Sequence, residues 1–267
     1  MTVSFEIRYE TEASVPAPYA HFYHLRADIE PAQLRVDYRL GYLGRENLTE
    51  EEIAAEGFTP DDDFSWQGML PAVWKEEMGQ LITQTGLRAQ SNHEEGPYFV
   101  LVFKDEAGNE SEGEPTNWAP WEYAAQELVQ AVYETAQRER PLHVRYKKTR
   151  ADGTYDRLSL TLRFSIRRVE VALKRNASGA PSARAQPGEP IRREVEWHRL
   201  KDLLRLVYMP DYRPENARSK EPRGPGTFLD NGDGFWYEFG VSVKNPGQKR
   251  DVLAEIEKVM EELIVNE

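Results

Sequence analysis

Residues 61–81, DDDFSWQGMLPAVWKEEMGQL, join an acidic run and a tryptophan to an apolar pattern of helical period, and this stretch restricts the folds open to the chain. Met69, Leu70, Val73, Trp74, Met78, Leu81 and Ile82 recur at spacings of three and four, which places them on one helix face. Lys75, Glu76, Glu77 and Gln80 take the other face. Asp61, Asp62, Asp63 and Ser65 are N-cap candidates, and Pro71 suits only a first turn, so the helix is expected to start near Leu70. A fainter version returns at 194–208, EVEWHRLKDLLRLVY, where Leu200, Leu203, Leu204 and Val207 follow Trp197 and Pro210 closes the run. A tryptophan ahead of each helix is expected to fill the core at a strand-to-helix corner.

The flanking segments extend the parallel. In the first half, Val3, Phe5, Ile7 and Tyr9 alternate with polar residues, as in a half-buried strand. A second strand is expected over 19–27, and a third carries Leu34, Val36, Tyr38, Leu40 and Tyr42 on one face. Thr49 and Glu52 form a capping box for a short acidic helix that ends near Gly57. Residues 86–96, with His93, read as a polar loop; 97–104, PYFVLVFK, as a central strand apolar on both faces; 105–120 as an acidic mobile segment. A helix over 121–138 carries Ala124, Leu128, Ala131, Val132 and Thr135 on one face.

In the second half, Leu142, Val144 and Tyr146 alternate, Asp152-Gly153 marks a hairpin turn, and Leu158, Leu160, Leu162, Phe164 and Ile166 continue the alternation. The parity slips at Arg167 and Arg168, which predicts a bulge or tight bend. Residues 176–190 read as a flexible insertion, and 210–226 as a loose basic segment. Phe235, Tyr237, Phe239, Val241 and Val243 read as a strand, and Val252, Ile256, Val259, Met260 and Leu263 as a final helix. The expected fold is therefore α+β: two similar tandem halves, 1–140 and 141–267, arising by internal duplication. Each would be an antiparallel sheet of about four strands covered by two main helices in the order β-β-β-α-β-α.

Charge divides the chain unevenly. Residues 1–140 hold 10 Lys+Arg against 27 Asp+Glu, a net of −17, whereas 141–225 hold 20 against 10, a net of +10. The basic block either binds an anionic partner or faces the acidic half of its own chain, and the overall charge of −12 favours the second. The absence of cysteine excludes disulfides and thiolate zinc sites. The opening, MTVSFEIRYE, reads as a strand rather than a cleavable leader, and no window approaches the roughly 18 apolar residues of a membrane span. A bacterial-type, soluble cytoplasmic protein is expected.

Catalytic and cofactor motifs are not found. There is no HExxH, GxSxG or P-loop lysine. His21 and His24 lie three apart on a strand and so point to opposite faces, which prevents them from chelating one metal and assigns them structural or surface roles. The run Asp230-Asn231-Gly232-Asp233-Gly234 resembles the start of a calcium loop, but aligning Gly234 at the sixth position puts Leu229 and Gly240 where carboxylates are needed. No catalytic residue, metal site or cofactor is therefore assigned. One constellation could bind: Arg145, Lys147, Arg157, Arg163 and Arg167 would share a basic sheet face, with Trp236 exposed to stack a base. The leading expectation is a non-catalytic binding or scaffold protein whose partner is another protein or its own copy, without a membrane. Nucleic-acid binding through the basic face is the alternative, and a hydrolase with an acidic site the third reading.

Overall fold

A computed structural model describes residues 2–90, 96–176, 189–247 and 249–265. The chain divides into two compact units, Met1–Arg140 with Phe164–Ile166, and Pro141–Arg163 with Arg167–Glu267. The loop histidine His93 and most of the 176–190 insertion lie outside the described residues.

The first unit is built on a seven-stranded antiparallel sheet. Its elements are β1 (Thr2–Glu10), β2 (His21–Ile29), β3 (Gln33–Tyr42), α1 (Glu50–Ala55), β4 (Phe64–Pro71), α2 (Ala72–Thr83), β5 (Leu87–Arg88), β6 (Tyr98–Asp105), β7 (Glu110–Pro115) and α3 (Trp118–Thr135). Four strands run as a meander, and β6 then pairs with the free side of β1, giving the order β4-β3-β2-β1-β6-β7-β5. The odd residues of β1 face inward: Phe5 lies opposite Ala27 and Phe103, Ile7 opposite Leu25 and Leu101, and Tyr9 opposite Tyr23 and Phe99. Onto this face α2 brings Trp74, Met78 and Ile82, and α3 brings Trp121, Leu128 and Val132, all buried. Trp121 sets its ring edge-on to Phe5 at 6.1 Å. Trp74 is fully enclosed and donates its indole N–H to the Phe164 carbonyl at 3.0 Å, so a large apolar ring enters the core with its polar atom satisfied. At α1 the Thr49–Glu52 capping box forms in both directions.

The second unit comprises β8 (Leu142–Thr149), β9 (Tyr155–Arg163), β10 (Arg168–Asn176), β11 (Ile191–Val195), α4 (Lys201–Val207), β12 (Asp211–Tyr212), β13 (Gly226–Asp230), β14 (Tyr237–Glu238), β15 (Val243–Lys244) and α5 (Val252–Val265). Its six-stranded sheet runs β11-β10-β9-β8-β13-β14, again a meander to which a later strand is added beside the first, and β12 pairs separately with β15. The slip in parity appears as a 3-10 turn, Phe164–Ile166, followed by Arg167 in the left-handed region at φ 48°.

The expected pair of four-stranded, helix-covered α+β halves is thus corrected. The described residues form 15 strands, in sheets of seven and six and a separate two-stranded ladder, with only five α-helices. Strands occupy segments whose sequence suggests something else. The stretch before α2 is β4, with Phe64, Trp66, Gly68 and Leu70 inward, so α2 starts at Ala72, and Asp61, Asp62 and Asp63 do not cap it. Residues 105–120 are not a mobile acidic loop: Glu110–Pro115 is β7, held by its ladder to β6. Part of 210–226 pairs as well, with Arg218 and Trp236 exchanging backbone hydrogen bonds at 3.0 and 2.9 Å. The alternation from Phe235 to Val243 is broken, because Trp236 and Tyr237 are both buried while Phe235 and Val241 are exposed. The proposed equivalence of Trp66 and Trp197 also fails. Trp66 lies on edge strand β4, folded over Gly68, where an added Cβ would overlap its ring; Trp197 is buried in a 3-10 turn beneath Arg167.

Thr49→Ala should lower stability by about 1 kcal/mol through loss of the cap, whereas Trp74→Ala should cost about 3–5 kcal/mol. Urea denaturation of the two variants measures both, and equal midpoints would contradict the assignment of Trp74 to the core.

Candidate functional site

A cavity of about 420 Å³ opens at one end of the inner face of the first sheet, where α3 and the strands do not close on one another. Strand register builds its floor. One rung runs Leu40, Tyr23, Tyr9, Phe99 across β3, β2, β1 and β6, and the neighbouring pair His21 and Tyr42 lies at the sheet end. The roof is a stripe of α3: Trp118, Glu122, Gln126, Val129 and Tyr133 recur every three or four residues, beside the helix's buried face. Tyr38 and Pro97 complete the wall.

The rings hold one another in place. Tyr9 stacks on Tyr23 with centroids 4.8 Å apart and planes 18° from parallel, and His21 lies 5.6 Å from Tyr9. Tyr38 meets Tyr23 at 5.8 Å and Tyr133 at 6.1 Å, and Phe99 meets Trp118 at 4.9 Å. Tyr42 is fixed from behind by Arg45, whose guanidinium lies 3.4 Å from the ring centroid. Arg45 is itself buried, donating to the Thr59 carbonyl at 2.8 Å and to Asp62 Oδ2 at 3.0 Å. Asp62 therefore anchors an arginine rather than a helix. Its carboxyl is held below the usual carboxylate range, first by the Thr59 hydroxyl and also by Arg45.

Polar atoms are sparse and placed. His21 Nδ1 is 2.9 Å from the Tyr19 carbonyl, which can only accept, so Nδ1 carries the proton. Burial pushes the Tyr23 and Tyr38 hydroxyls well above the ordinary tyrosine range, and that of Tyr9 upward. The charge of Glu122 adds to the shifts of Tyr9 and Tyr23. Glu12 adds to the shift of Tyr9 as well, and Glu122 is the carboxylate among the lining residues. His21 and Glu122 both line the space, but no hydrogen bond joins them, so among the described residues it holds no assembled acid–base pair.

The residues singled out in the sequence fall in the second unit and do not form one free basic face. Lys147 and Arg157 are in register on β8 and β9 and share Glu221, at 2.9 and 3.2 Å. Lys147 is buried and also donates to the Pro222 carbonyl at 2.8 Å. Arg145 Nε donates to Asp230 at 2.7 Å while its guanidinium lies 4.9 Å from the Trp236 ring. Trp236 is 1% exposed, a correction to its expected place at the surface, and cannot present its face to a base. Arg163 pairs with Glu170 at 3.7 Å, and Arg167 lies over Trp197 at 5.5 Å, away from the others. Asp230 also accepts from the backbone N–H of Gly232 and Gly234, which ties the calcium-like run to Arg145 instead of a cation. No group of three or more metal-ligating side chains occurs among the described residues, and none of their helices is long and apolar enough to cross a membrane.

The cavity was missed in the sequence although its signals are present. His21 and Tyr23, Leu40 and Tyr42 fall at strand ends where the inward alternation stays aromatic or apolar, and the stripe on α3 includes Glu122 and Gln126, which a purely apolar search omits. His21, expected to be structural or superficial, faces the cavity, while His24 is exposed on the other face. No family model, curated protein or solved structure matches this chain.

Arg145→Ala should cost about 3 kcal/mol, because Asp230 is left buried without its cation, whereas Arg163→Ala should cost less than about 1 kcal/mol. Chemical denaturation distinguishes them, and equal small losses would contradict the buried pair. In alkaline titration at 295 nm, Tyr23, Tyr38, Tyr146 and Tyr212 should stay protonated past the ordinary pKa of about 10, because burial raises each. The unfolded chain loses these protons near pH 10 while the fold retains them, so their contribution to stability is complete below that pH and falls above it.

Proposed function

We propose that this is a non-catalytic binding protein whose first unit takes a small organic molecule into the aromatic cavity. The observation that carries this reading is the combination of volume and lining: about 420 Å³, lined by aromatic residues from four strands and one helix, with a few polar groups among them. Such a space suits ligands of one or two rings, for which burial of apolar surface supplies affinity and the polar groups orient. The hydroxyls of Tyr9, Tyr23 and Tyr42 have no hydrogen-bond partner among the described residues, and each can donate to or accept from a ligand. Preorganisation supports the same reading, since the Arg45–Tyr42 stack and the Tyr9–Tyr23 pair fix the walls before any ligand arrives. The nucleic-acid reading has less support, because the cations it requires are engaged by Asp230, Glu221 and Glu170. The hydrolase reading lacks, among the described residues, a base joined to an acid in the cavity.

The test is a calorimetric titration with bicyclic aromatic probes of different charge: 1-naphthol, N-methylquinolinium and naphthalene-1-sulfonate. At least one should saturate at one site per chain, and Val129→Trp, which fills the cavity from α3, should weaken it tenfold or more without lowering the melting temperature. No saturable binding, or equal affinity in the filled variant, would reject the proposal.

A further inference from the structure

Resting on that reading, the geometry points to an organic cation as the ligand, an alkylammonium or a nitrogen heterocycle carrying fixed positive charge. Among the described residues the lining contains no lysine or arginine, and its one carboxylate is Glu122. Arg45 does not offset this, because its guanidinium lies behind Tyr42 and is held by Asp62 and backbone carbonyls. The wall is rich in aromatic rings, and an aromatic face carries the negative part of the ring quadrupole, so a cation held against such a face is attracted without a buried counter-ion. Tyr9 and Tyr23 supply such rings at the sheet end, and Trp118 supplies one on α3.

Two further observations give the same sign. Burial is the main cause of the raised pKa of Tyr9 and Tyr23, and the charge of Glu122 adds to both, with Glu12 also acting on Tyr9, so carboxylate charge lies within reach of these two rings. A cation placed over them gains from the same field, and an anion is repelled. The first 140 residues also carry a net charge of −17, which raises the local concentration of cations and lowers that of anions before contact. Glu122 is exposed in the early part of α3, so it retains its hydration while a ligand's charge remains within reach. The apolar part of the ligand is then directed toward Phe99 and Val129.

The experiment compares three molecules of nearly one shape: benzyltrimethylammonium, its uncharged isostere neopentylbenzene, and the anion phenylacetate. The cation should bind at least tenfold tighter than neopentylbenzene, and phenylacetate most weakly. Glu122→Gln should weaken the cation fivefold or more and leave neopentylbenzene unchanged, Tyr9→Phe should keep the preference, and Tyr9→Leu should reduce it. Equal affinities for the charged and uncharged isosteres would overturn the assignment of charge while leaving the cavity as a binding site. If none of the three binds, and Val129→Trp changes no titration, the binding-site reading fails with it. Unchanged melting temperatures of the Glu122 and Tyr9 variants separate these results from misfolding.

Discussion

The pairing of β1 with β2 on one side and β6 on the other fixes everything else in the first unit. In an antiparallel ladder a slip of one residue turns every side chain to the opposite face, so burial of Phe5 and Ile7 locks the register over the whole strand. That lock continues past the filled core to its end, where Tyr9 must face inward beside Tyr23 and Phe99 even though no helix residue packs fully against it. The cavity is therefore a by-product of a register enforced elsewhere, which makes its geometry rigid. A ligand site resting on such a ladder needs no loop to order before it works.

Electrostatics follow a different logic in the second unit. Its basic block is answered by nearby carboxylates of the same unit: Asp156 accepts Arg150 and Arg175, Glu221 accepts Lys147 and Arg157, and Glu257 and Glu261 accept Lys148. Several are half-buried or deeper, so removal of one partner strands a charge in poor solvent, and the pairs act as positional constraints more than as sources of affinity. Counting charges along the chain located the block correctly but could not assign its partners, because Glu221, Glu257 and Glu261 come from segments far from β8 and β9 in sequence.

What could be read in advance follows from how each element is stabilised. β1, β3 and β6 bury side chains on a face, or on both, and show it as alternation or as an apolar run; α1 declares itself through Thr49 and Glu52. β7, reading Glu-Ser-Glu-Gly-Glu-Pro, and β11, reading Ile-Arg-Arg-Glu-Val, are held mainly by backbone hydrogen bonds to a neighbour, a contribution that carries no residue signature. β4 does alternate, but Met69 and Leu70 continue into α2 at helical spacing and conceal the strand. The cavity required strand register and helix position together, and neither is encoded locally.

The acidic character of β7 has a consequence for how copies of this chain meet. Glu110 and Glu112 are held by Lys104 and Arg8, while β5 pairs only with Glu114 and Pro115 and its Arg88 carbonyl lies against Gly113, so no described strand pairs with the outer backbone edge from Glu110 to Glu112. A second molecule approaching that edge to extend the sheet would set carboxylate against carboxylate. Runaway sheet growth is thereby opposed by like-charge repulsion at its starting point, a safeguard that weakens wherever acid or concentrated salt removes the repulsion.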